Sequence, residues 1–159
     1  MEFSHLDQNG RANMVDVGDK AISCRIARAT GFVEMREDTV KRIHENLLKK
    51  GDVLSVATLA GIMGAKRTAE LIPLCHGILL EHVEVTFELD ERGVRIFAEV
   101  KTDAKTGVEM EALTAVSVAA LTIFDMCKAV DKQMVIGHIH VTHKEGGRSG
   151  IFDCSEDRS

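Results

Sequence analysis

Asp125 and Lys128, in the segment TIFDMCKAV, stand at i, i+3; on a helix they share a face, hold each other charged and present an acid/base couple. A plain surface ion pair has the same spacing, but the flanking residues are too apolar for a solvated face, and an unpaired buried charge is costly. Glu109 and Glu111, with Met110 between them, are a second candidate. They share one face if the chain is extended, or gather negative charge at a helix start. Cys75 and His76 follow the lone Pro73 in IPLCH, a rigid non-helical turn suited to holding an imidazole, although a lone histidine is more often structural. Arg25, Lys50, Lys66, Arg67, Lys144 and Arg148 are scattered cations. The last two lie in KEGGRSG, where backbone N–H groups can approach an anion, so the set makes a phosphate clamp only if it converges.

If Glu111 and Asp125 lie on one helix, they are about 21 Å apart along its axis. A small site using both must therefore draw them from different subunits, which predicts an active site at a subunit interface.

The elements that would carry these groups follow from periodicity. Ile22, Cys24 and Ile26 alternate with polar neighbours as a strand that places Arg25 on its polar face. Asp38 caps a predicted helix with Val40, Ile43, Leu47 and Leu48 on one side and Gly51 at its exit. Asp52 caps a second helix that ends at Lys66 and Arg67. Val83 to Leu89 and Val94 to Val100 alternate around the turn residues Asp90 to Gly93, a hairpin. From about Glu111 to Val130 runs a helix apolar almost all round, followed by a strand from about Met134 to Thr142. The order β-α-α-β-β-α-β predicts an α+β, ferredoxin-like antiparallel sheet (β-α-β-β-α-β) with one extra helix. It reads as a single catalytic domain over 1–159, with an N-terminal arm at 1–20 and a flexible Gly-rich loop and acidic tail at 143–159.

Composition narrows the function classes. Four cysteines without C-x-x-C spacing read as reduced thiols and predict no metal site. A net charge of −5 and an aromatic content of 4%, without Trp or Tyr, offer nucleic acid neither a global field nor stacking platforms. The N-terminus lacks a basic-then-apolar leader, and the run from Ala112 to Phe124 is shorter than the roughly 20 residues that span a bilayer. The expectation is a cytoplasmic protein with neither nucleic acid nor membrane as partner.

MVDV (14–17), KGDVLSVATLAGIMGAKRT, LIPLCH and KTGVEMEALTAVSVAALTIFDMCKAVDK occur in an order that resembles the cyclic pyranopterin monophosphate synthases of molybdenum cofactor biosynthesis, over essentially the whole chain. The resemblance implies conversion of (8S)-3',8-cyclo-7,8-dihydroguanosine 5'-triphosphate into cyclic pyranopterin monophosphate and pyrophosphate. It also implies a homo-hexamer, a trimer of dimers, with interface active sites. By the same resemblance Asp125, Lys128, Lys50 and His76 are catalytic, while Arg25, Lys66, Arg67, Cys75, Glu109, Met110, Glu111, Lys144 and Arg148 bind substrate. No cofactor is required, and Mg²⁺ is an optional companion of the triphosphate. The sequence departs from the family pattern at Gly77, where proline is expected after the histidine, and at Arg148, where lysine is usual. Two alternatives stand beside this reading. One is a non-catalytic nucleotide-binding regulator of the same fold; the other is a metal protein using His138, His140 and nearby His143.

Overall fold

The computed structural model describes residues 3–48 and 50–154. In chain order it contains β1 (Ser23–Glu34), α1 (Glu37–His44), α2 (Val53–Lys66), α3 (Thr68–Leu71), β2 (His82–Asp90), β3 (Gly93–Ala104), α4 (Glu109–Cys127), β4 (Val135–Glu145) and β5 (Phe152–Asp153). The strands form one antiparallel sheet in the order β2-β3-β1-β4-β5. This is the ferredoxin-like α+β arrangement, with the two-residue β5 added outside β4.

Alternation decides which face of the sheet is covered. Ala27, Ala29 and Val33 of β1 pair with Val100, Ala98 and Val94 of β3, and all six are buried beneath the helices. α4 packs on β1, β3 and β4, and α2 lies against α4 and β2. The buried residues of α4 include four alanines, which let its axis approach the sheet closely, and Gly64 of α2 does the same at the helix–helix contact. A Cβ at Gly64 would come within 2.8 Å of the Val118 side chain. By length and composition α4 could cross a bilayer, but it is mostly buried and forms the centre of this core.

The hairpin and the Asp52 cap stand as expected, with Asp52 accepting from the Ser55 amide at 3.2 Å. Other expectations are corrected. Arg25 shares the parity of Ala27 and Ala29, so it lies on the helix-covered side of β1, not on a polar face. The helix placed around Asp38 stops at His44, because Asn46 takes φ 56° and turns the chain; Leu47 is exposed. Its N-cap is Arg36, not Asp38. α4 begins at Glu109 and ends at Cys127, making Lys128 its C-cap residue. β4 continues to Glu145, so residues 143–145 are strand, not loop. The one-turn α3 and β5 were not foreseen, and the end of the acidic tail lies outside the described residues. Cys24, Cys75 and Cys127 are free thiols.

Candidate active site

The two ends of α4 carry two different sets of groups. At its C-terminal end, Asp125 accepts from Lys128 Nζ at 2.7 Å on one carboxylate oxygen and from Lys50 Nζ at 2.7 Å on the other. Lys50 also donates to the Asp125 carbonyl at 3.0 Å. The hydrogen bonds from Lys128 and Lys50 hold the Asp125 carboxyl down at about 2. The helical spacing thus gave the Asp125–Lys128 pair, and the loop after α1 adds Lys50 as a third member. The expectation that the pair avoids solvent is wrong: both side chains are 55% exposed. Their apolar sequence neighbours Ile123, Met126 and Cys127 turn into the core, leaving these two outside.

At the N-terminal end of α4 the two glutamates diverge, as consecutive odd positions do on a helix. Glu109 accepts from Lys144 Nζ at 2.5 Å. Glu111 is only 4% exposed, and burial, with a smaller contribution from Glu109, pushes its carboxyl up to about 7. Burial and then the Glu111 charge raise the Cys75 thiol. Cys75, Glu109 and Glu111 line a cavity of about 310 Å³ that also includes His76, Met110, Thr106, Lys20, Val15 and Val17. Its far wall is the N-terminal arm. His76 Nε2 lies 2.7 Å from the Val15 carbonyl, which can only accept, so this contact is a hydrogen bond with the ring nitrogen as donor. Lys105 Nζ donates to the Gly18 carbonyl at 2.7 Å and ties the same arm down.

A second cavity, of about 350 Å³, is lined by Lys20, Ser23, Arg25, Gly147, Arg148 and Ser149. Arg25 donates to the carbonyls of Ala104, Lys105 and Gly146, which fixes its guanidinium at the cavity wall. Lys20 borders both cavities, so a ligand with a ring at one end and a charged tail at the other could span them. Two buried side-chain oxygens lack a hydrogen-bond partner among the described residues, Ser23 Oγ and Glu111 Oε2. Each belongs to a residue lining one of these two cavities, as expected where ligand atoms complete the bonding.

The structure therefore brings Arg25, Cys75, His76, Glu109, Met110, Glu111, Lys144 and Arg148 to one end of the molecule, and Lys50, Asp125 and Lys128 to the other end of α4. Lys66 and Arg67 finish α2 and line neither cavity. Lys20 and Ser23 escaped the sequence reading. The signal was a lysine and a serine just ahead of Arg25, at the sheet end where the Gly-rich loop returns.

The histidines of β4 do not assemble a metal site. His138 sits at φ 55° in a bulge, His140 Nδ1 lies 2.8 Å from the His138 carbonyl, and His143 Nδ1 is 2.5 Å from Asp153. His82, Glu84 and Glu99 do cluster on the open face of the sheet, but Glu99 is already bonded by Arg28 at 2.5 Å and Lys101 at 2.8 Å.

Comparison with known proteins adds an independent line. Residues 14–147 match the MoaC family model. The chain is 56% identical to the cyclic pyranopterin monophosphate synthase of Peptoclostridium acidaminophilum, over 96% of this chain and 98% of the relative. It is 58% identical to the synthase of the same name from Roseiflexus sp. (strain RS-1), over 95% and 97%. With the one from Thermoanaerobacter pseudethanolicus it shares 52% identity over 96% and 98%.

Proposed function

The chain belongs to the MoaC family and is an enzyme of molybdenum cofactor biosynthesis, and we propose that it acts on (8S)-3',8-cyclo-7,8-dihydroguanosine 5'-triphosphate. The products are cyclic pyranopterin monophosphate and pyrophosphate. The observation that carries this reading is the pairing of two adjoining cavities, one basic and one containing a buried carboxyl, each with an orphaned polar oxygen.

Lys20, Arg25 and Arg148 hold the triphosphate and stabilise the departing pyrophosphate, with Ser23 and the Gly-rich loop supplying further donors. The pterin-forming end occupies the cavity of His76 and Glu111. A carboxyl near neutrality both gives and takes protons at working pH, and a neutral His76 donating from Nε2 offers Nδ1 as a base. Cys75 and Met110 shape its wall, and the Glu109–Lys144 pair closes one side.

Lys128 acts as general acid or base, Asp125 orients it, and Lys50 completes the unit. Because this unit stands at the other end of α4, it serves the cavities of a neighbouring subunit, and Lys66 and Arg67 reach the triphosphate by the same assembly. The oligomer is a hexamer, a trimer of dimers, with cytoplasmic location. No resident cofactor is needed, and any Mg²⁺ arrives on the triphosphate; turnover unaffected by exhaustive chelation of the protein alone checks this.

The test is pyrophosphate release and pterin formation from the cyclised dihydro-GTP substrate, comparing the parent with Lys128→Ala. Turnover by the parent and a loss of at least roughly 100-fold in the variant are expected for a proton-transfer group. Tight binding without turnover by either protein would sink the catalytic reading in favour of a nucleotide-binding regulator.

A further inference from the structure

Two carboxylates are buried among the described residues, Glu111 and Asp131, and the reaction above uses only the first. Asp131 is 3% exposed and lies three residues beyond Lys128, in the turn that leaves α4. A buried charge on an ordinary turn is costly unless it is fully bonded. Its bonds lead in one direction. Asp131 Oδ2 accepts from the Arg36 amide at 2.9 Å and from Thr39 Oγ1 at 3.1 Å, and Oδ1 accepts from the Gln133 amide at 3.1 Å. Arg36 Nε stands 3.6 Å away, and the same guanidinium donates to the Val130 carbonyl. Arg36 is the N-cap of α1, and no side chain of α1's own N-terminus caps it. Asp131 therefore caps α1 from another part of the chain.

The consequence concerns Lys50. α1 is only eight residues long and is followed directly by the segment that carries Lys50 to Asp125. The stretch 125–131 thus grips both ends of that unit: Asp125 holds Lys50 beyond the end of α1, while Asp131 and Val130 hold the start of α1. We propose that Asp131 is a positioning residue that sets the Lys50–Asp125–Lys128 geometry by fastening α1 to the turn after α4. This rests on the reading of that unit as catalytic, but its geometric core does not require activity to be tested. The groups facing Asp125 are Lys50 and Lys128, so its titration reports whether both remain in place.

The experiment compares the parent with Asp131→Asn, and with Arg36→Ala, which loosens the same clasp from a solvent-exposed side chain and so survives if the buried variant does not fold. Ile96→Val, a distant core change, serves as a control for general loss of stability. The Asp125 carboxyl is followed by carbon-detected NMR titration, and kcat and KM are measured in parallel. Expected are an upward shift of the Asp125 midpoint in Asp131→Asn, a smaller one in Arg36→Ala and none in Ile96→Val. A fall in kcat of roughly 10- to 100-fold should accompany the larger shift, with KM little changed. Variants that melt earlier yet titrate Asp125 as the parent does would overturn the proposal and leave Asp131 as a helix cap only. If the titration shifts while kcat holds, the positioning stands and the catalytic reading of the unit fails.

Discussion

Burial governs Glu111 more than any neighbouring charge does, and this gives a pH dependence with a definite sign. Its folded value of about 7 lies above the roughly 4.3 of an unfolded glutamate, so the folded protein binds the extra proton in that window. Stability is therefore fully present below the unfolded value, declines as pH rises through the window, and is flat above it. The loss amounts to about 4 kcal/mol at most. Glu111→Gln removes the titration. Denaturant unfolding at pH 4, 6 and 8 should show the variant matching the parent at the lowest pH and exceeding it in stability at the highest, while turnover falls. A constant gap between the two proteins across this range would mean that the carboxyl is not held neutral. None of this was legible from the sequence, where Glu109 and Glu111 look alike; the helix phase sends one to Lys144 and the other inward.

The elements were legible where a strict period holds. The hairpin and the Asp52-capped helix follow from alternation and capping, and the sheet order follows from the element order. What failed were places where an irregularity resets the period. β4 carries register shifts opposite Arg28/Ala29 and Thr30/Phe32. His140 and Lys144, an even number of residues apart, would share a face on a regular strand. Instead His140 pairs with Thr30 and Lys144 with Ala27, which puts Lys144 on the helix side, against Glu109. Arg25 was misplaced for a related reason: its hydrophobic neighbours Ile22 and Cys24 are at a strand end and stay exposed, so they do not mark the core face. The loop that returns to Arg25 makes its own prediction. Gly147 takes φ 71°, and a Cβ there would lie 2.2 Å from Arg25 Nη1. Gly147→Ala should therefore cost about 1 kcal/mol in backbone strain and displace the guanidinium. Steady-state kinetics should show a raised KM with a smaller change in kcat; unchanged KM would separate this loop from triphosphate binding.

At the scale of the molecule, α4 is the central core helix, and on the proposed reading of its two ends it is also the reason a site would draw on two chains. Its two functional ends are about 21 Å apart, too far for one small substrate to touch both. On that reading the outer face of α2 would offer a means of association, since Val56, Leu59 and Met63 recur at helical spacing and are exposed, as is Leu121 on the adjoining α4. A shared site has a consequence that a self-contained one lacks. Lys128→Ala damages the C-terminal end of α4 and Glu111→Gln the N-terminal end, and each variant alone should be nearly inactive. In a two-fold dimer of one variant with the other, one site collects both lesions and the other collects none. Equal mixing with free exchange of subunits should thus restore about a quarter of the parent activity. The measurement is turnover after mixing, with exchange verified by native mass spectrometry of mass-tagged subunits. Complete exchange without recovery would show that both ends of α4 act within one chain, and a monomer with parent-like turnover would exclude the shared site directly.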